Sequence, residues 1–173
     1  GVFDPRKYAL SVLEVILGGN MSSRLWHEIR EQRGLAYYVS SENEFYTDSG
    51  FFVTRAGVNV SKTEETVRII LNEYRNTARD GVLDAELRMA KSFLIGKLHL
   101  GIETASNKAS FIGQQEVLLN KALTPKEIER NISKVTASGI KKAAQDIFKN
   151  NKLNLCLIGP VEGQEELRKL LTF

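Results

Sequence analysis

Apolar positions recur at helical intervals at the start of the chain, where Leu10, Leu13, Ile16 and Leu17 fall within residues 8–17 and Gly18-Gly19-Asn20 interrupts the run. The spacing predicts a helix closed by glycines in the left-handed conformation. A second helix is predicted over 22–32, with Leu25, Trp26 and Ile29 turned inward and Gly34 as its stop. The period then changes from 3.6 to 2. Residues 37–46 and 51–60 flank Thr47-Asp48-Ser49-Gly50, which predicts a β-hairpin with Phe52, Ala56, Val58 and Val60 on one face. Ser61-Lys62-Thr63-Glu64 reads as a capping box opening a helix that carries Val67, Ile70, Leu71 and Tyr74 and ends near Gly81.

Helical periodicity dominates the remainder. Asp84 is placed to cap a long helix to about residue 100, burying Leu87, Ala90, Leu94 and Leu98, and another helix is predicted over 105–120. Thr124-Pro125-Lys126-Glu127 combines an N-cap, a first-turn proline and a carboxylate at the third position. A helix over 137–149, a strand over 153–158 ended by Gly159-Pro160, and a closing helix over 164–171 complete the pattern. Three strands against seven or eight helices predict an α+β fold in which helices pack on one face of an antiparallel sheet. So small a sheet leaves two edges to be managed, so its first strands are expected upstream or from a partner. No repeat or shift in composition divides the chain. Residues 1–173 therefore read as a single domain, trimmed on its N-terminal side, as a start at Gly1 rather than Met also suggests.

Composition narrows the chemistry. At 173 residues with 42% hydrophobic and 26% charged positions, the chain can bury about 70% of its unfolded surface. It needs no disulfide, and with Cys156 as its single cysteine it can form none internally. Between Leu155 and Leu157 that cysteine reads as a small buried hydrophobe. The net charge is +3. The basic stretch over 121–152 is interleaved with Glu127, Glu129 and Asp146 and accompanied by one aromatic residue, Phe148, which predicts a solvated face rather than a nucleic-acid surface. No apolar run reaches the roughly 18 residues of a membrane span, and no leader pattern opens the chain.

Only two histidines are present, His27 and His99. His27-Glu28-Ile29-Arg30-Glu31 departs from H-E-x-x-H at its fifth position and from the reversed H-x-x-E-H at its last two. His99, between Leu98 and Leu100, reads as an exposed or hydrogen-bonded helical residue. Gly18-Gly19-Asn20 lacks the Lys-Ser/Thr of a phosphate loop, and Ser22 and Ser23 lack a G-x-S-x-G setting. What remains is a run of arginines, Arg24, Arg30 and Arg33, ahead of Tyr37 at the start of a strand. A guanidinium with five donors beside a phenol suits a peptide carbonyl or a developing oxyanion. The competing reading pairs Arg30 with Glu28 or Glu31 and packs Tyr37 on the sheet.

The segment from Leu17 to Tyr37 has the form L-G-G-x-M-S-S-R-L-x-x-E-I-R-E-x-R-G-L-A-Y. It resembles the second half of the pitrilysin/insulinase family of zinc metallopeptidases, which includes the processing peptidases. The hairpin, the run of helices and the late Leu157-Ile158-Gly159-Pro160 extend the likeness more loosely over the chain. The resemblance implies two similar halves enclosing a chamber, with zinc bound through H-x-x-E-H in the N-terminal half or a partner subunit. It further implies that Arg30 holds the substrate backbone and that Tyr37 hydrogen-bonds the carbonyl oxygen as it becomes an oxyanion. No H-x-x-E-H occurs here, so no cofactor is expected in this chain, which alone is expected to be inactive. The implied partners are a peptide substrate and the other half of the protein, or a homologous subunit in a dimer. The implied compartment is the bacterial cytoplasm, with the mitochondrial matrix as the alternative. A noncatalytic scaffold subunit is the competing function.

Overall fold

A computed structural model describes residues 1–160 and 163–173. The first helix, α1 (Lys7–Leu17), is its centre. On one side lies an antiparallel hairpin, β1 (Ala36–Phe45) and β2 (Gly50–Val58). Helices α2 (Thr63–Asp80), α3 (Asp84–Gly101), α4 (Ala105–Leu119), α5 (Pro125–Ser133), α6 (Ala137–Ile147) and α7 (Gln164–Leu170) follow. Of these, α3, α5 and α6 pack against α1, and α2 packs against β2 and α6. Contact from both sides explains why Val12, Leu13, Val15, Ile16 and Leu17 are all buried, wider than a single amphipathic stripe. Each such side chain contributes about 1.5–3 kcal/mol by leaving water. The fold is α+β with helices on one face of the hairpin, as the periodicity predicts.

An aromatic cluster fastens the hairpin to the helices. Tyr74 of α2 stacks on Phe148, with ring centroids 4.1 Å apart, and Phe52 of β2 meets both rings edge-on at 5.8 and 5.5 Å. The Tyr74 hydroxyl satisfies itself on Thr54 Oγ1, which also bonds Ser41 Oγ at 2.7 Å. Burial of that phenol pushes its pKa well above the usual tyrosine range.

Several local expectations are corrected. Gly18 and Gly19 are not left-handed; they are required by close approach. A Cβ on Gly18 would lie 2.3 Å from Ser41 Oγ, and one on Gly19 would lie 2.7 Å from the Val15 Cα. The predicted capping box at residues 61–64 does not form, because Asn59 captures the Ser61 N–H and starts a 3₁₀ turn, Val60–Lys62, ahead of α2. Asp84 is not the cap of α3 either. The Glu86 carboxylate takes the Leu83 N–H at 2.7 Å instead. At α5 the expected reciprocal pair is present, with Thr124 and Glu127 each accepting the other's backbone N–H.

The predicted strand over 153–158 is absent from the sheet, which has two strands among the described residues. A strand exists only where a neighbour completes its ladder. On the free edge of β1 the Ser41 N–H is taken by the Gly18 carbonyl at 3.0 Å and the Asn43 N–H by the Glu14 carboxylate at 3.1 Å. Leu155, Leu157 and Ile158 consequently stay in solvent, Ile158 at 98% exposure, while Leu153 is half-buried, and Cys156 is exposed rather than buried.

Glu14 also accepts from Asn43 Nδ2 at 2.9 Å, yet burial raises its pKa above the ordinary carboxylate value despite those bonds. A raised folded pKa means a contribution to stability that is full at low pH and lost as pH rises through the folded value. Glu14→Gln keeps an acceptor for Asn43 and removes the charge. It is expected to gain stability relative to the parent progressively as pH rises from about 4 toward neutrality, where the charged carboxylate of the parent is the less favourable form. Denaturant titrations across that range check this, and a pH-independent difference would refute it.

Candidate functional site

The helix predicted over 22–32 forms, but it is wound more loosely than an α-helix. Trp26–Glu31 is a π-helical turn, continued by a bond from the Gln32 N–H to the His27 carbonyl at 2.9 Å. Leu25 and Ile29 are fully buried and anchor this turn to the core. Gly34, at φ +58°, reverses the chain so that the Leu35 N–H reaches the Ile29 carbonyl at 2.8 Å. That positive φ suits glycine and carries the backbone straight into β1. Such π-turns recur at functional positions, and the other side of this one carries Arg30.

Tyr37 sits where the ladder is irregular. Ala36 pairs with Val58 and Tyr38 with Gly57, so Tyr37 is the extra residue of a β-bulge. In a regular strand Tyr37 would share the inward face of Val39 and Ser41, both buried. The bulge breaks the alternation and leaves Tyr37 84% exposed. Tyr38 also faces out, its ring laid over Gly57, where a Cβ would come within 2.4 Å of Tyr38 Cε1. The glycine therefore makes room for the ring next to the bulge.

The two residues singled out in the sequence are brought together. The Arg30 guanidinium carbon lies 4.4 Å from the Trp26 ring centroid and 5.8 Å from that of Tyr37. The acidic neighbours are engaged elsewhere: Glu28 pairs with Arg33 at 3.0 Å, and Glu31 with His27 Nδ1 at 2.7 Å. Residues one or two apart on a helix do not face each other, which is why Arg30 pairs with neither. Tyr37 is likewise not packed on the sheet. The result is an open surface bearing a guanidinium, a phenol and an indole.

Arg24 does not join that surface. Its guanidinium makes a two-pronged bond to Glu86, at 2.6 and 2.7 Å, and donates to Thr77 Oγ1 at 3.2 Å and the Gly81 carbonyl at 3.3 Å. Glu73 stands 3.7 Å away. Burial alone would raise the Glu86 pKa, but the bonds from Arg24 and the Leu83 N–H outweigh it and hold that carboxyl below its ordinary value. Glu73, buried with less direct compensation, is shifted up. Arg24 thus ties the start of the π-turn to α2 and α3. Sequence inspection grouped it with Arg30 and missed Trp26; the i, i+4 spacing of Trp26 and Arg30 was the available signal.

The histidines fit no metal site. His27 is bonded through Nδ1 to Glu31 and through Nε2 to Gln32, and His99 lies 3.5 Å from Glu129. Among the described residues no three His, Cys, Asp or Glu side chains converge as a metal would require. Ser23, which lacks a nucleophile's G-x-S-x-G setting, is buried. Among the described residues no helix is long and apolar enough to cross a membrane.

Fold and surface together define an α+β domain that displays an arginine–tyrosine pair and has no zinc-ligand set among its described residues. The family model of the peptidase M16 inactive domain matches residues 3–94, and the chain belongs to that family. It is 33% identical over 165 residues to an uncharacterized zinc protease of Streptomyces coelicolor, a match covering 95% of this chain and 36% of the relative. It is 35% identical over 155 residues to the uncharacterized zinc protease YmxG of Bacillus subtilis, covering 90% and 38%. The chain thus spans little more than a third of the length of these curated relatives. Among solved structures it resembles a peptidase M16 inactive domain from Pseudomonas fluorescens, with a TM-score of 0.70 and 30% identity over 83% of this chain and 34% of that one. A chain of Complex III2 from Candida albicans shares the fold, with a TM-score of 0.73 at 16% identity, covering 83% and 37%.

Proposed function

We propose that this domain is the substrate-binding wall of a zinc-dependent metalloendopeptidase. Arg30 donates to the backbone of a bound peptide. Tyr37 donates its phenolic hydrogen to the scissile carbonyl oxygen as that oxygen gains negative charge. The observation that carries the reading is the pairing of an exposed Tyr37 with an Arg30 that has no carboxylate partner among the described residues. A structural arginine is normally tied down, as Arg24 is; one left open beside a solvent-facing phenol is suited to a ligand. The donor set here does not fit zinc, so the metal belongs in this reading to the other half of the protein or to a homologous partner subunit.

Arg30→Ala in the full-length protein is expected to raise KM for peptide hydrolysis about tenfold, the loss of one charge-assisted hydrogen bond. Steady-state kinetics on a peptide substrate measure it. An unchanged KM, with the fold intact by circular dichroism, would remove the substrate-binding role and leave a scaffolding function.

A further inference from the structure

An arginine side chain free in water loses considerable rotamer entropy when it is fixed on a ligand. Arg30 is not free. Its guanidinium rests at 4.4 Å from the centroid of the Trp26 ring, one helical turn earlier. Trp26 is itself half-buried and packs against the hydrophobic core, so its ring is a firm platform. The π-winding of Trp26–Glu31 places the two residues on the same face, and stacking occupies only the face of the guanidinium. Its N–H groups project from the edge, and among the described residues none finds a hydrogen-bond acceptor.

We infer that Trp26 is a positioning residue for the substrate: its indole face holds the Arg30 guanidinium in place before a peptide arrives, with the N–H edge left for a backbone carbonyl. The inference rests on the proposed role of Arg30. It assigns to Trp26 no contact with reacting atoms, so it predicts weaker binding without slower chemistry.

The test uses the full-length protein and one peptide substrate. Trp26→Leu, which keeps apolar bulk but removes the ring, is expected to raise KM about two- to fivefold with kcat unchanged, as loss of an exposed cation–π contact implies. Trp26→Phe should recover part of that change and guards against a variant that merely folds badly, which thermal melts would reveal. In an Arg30→Ala background Trp26→Leu should have no further effect on KM. A wild-type KM for Trp26→Leu, or the same KM rise with and without Arg30, would overturn the inference while leaving the substrate role of Arg30 standing. If Arg30→Ala alone left KM unchanged, the parent reading would fall, and the inference with it.

Discussion

Replacing Tyr37 by phenylalanine in the full-length protein is expected to lower kcat for peptide hydrolysis by on the order of 10²-fold while changing KM little. The argument rests on what the substitution removes. Phenylalanine preserves the ring, and with it the 5.8 Å relation to the Arg30 guanidinium. Only the hydroxyl is lost, and with it the hydrogen assigned to the charge developing on the carbonyl oxygen. Because Tyr37 is 84% exposed, no packing is disturbed and the melting temperature should stay within a degree or two. A kcat equal to that of the parent enzyme would show that the phenol does not serve the oxyanion.

The largest effect on stability should come from Arg24→Ala, which is expected to destabilise the domain by about 3 kcal/mol, toward the lower end of the range for breaking a buried pair. The side chains of Arg24, Glu73 and Glu86 are only about one-fifth exposed. Removing the guanidinium leaves two carboxylates close together with no cation between them, and strips Thr77 Oγ1 and the Gly81 carbonyl of a donor. Chemical denaturation measures the loss. A double substitution that also neutralises Glu86 should recover part of it, since the uncompensated charge is then gone. A cost below about 0.5 kcal/mol, the usual range for surface substitutions, would mean the network is a solvated one. Because this network joins the start of the π-turn to α2 and α3, Arg24→Ala should also impair peptide binding, by loosening the element that carries Arg30.

Much of the architecture was legible in the chain. The helices α1 through α7 fall close to their predicted ranges because amphipathic spacing and the Thr124-Pro125-Lys126-Glu127 signal are local properties. What failed was competition between neighbours for the same groups. Ser61 was assigned to a cap that Asn59 had already claimed, and Asp84 to one that Glu86 fills while also holding Arg24. Residues 153–158 are apolar enough to suggest a strand, but a ladder partner is not a property of a segment's own sequence. Cys156 followed the same error, since its burial was assumed from that sheet.

The candidate site divides in the same way. Residue types and spacing offered a run of arginines, Arg24, Arg30 and Arg33, ahead of Tyr37; the resemblance to the metallopeptidase family singled out Arg30 and Tyr37 among them, and the sequence supplies only two histidines, neither in an H-x-x-E-H setting. None of this said whether Arg30 would pair with an acidic neighbour, or which way Tyr37 would face. Those answers came from geometry: a π-turn anchored by Leu25 and Ile29, a left-handed Gly34, and a bulge that turns Tyr37 away from the buried face it would occupy in a regular strand. Periodicity assigns a side chain to a face only while the register holds. One extra residue in the ladder reverses that assignment, and only packing on the core fixes where it falls.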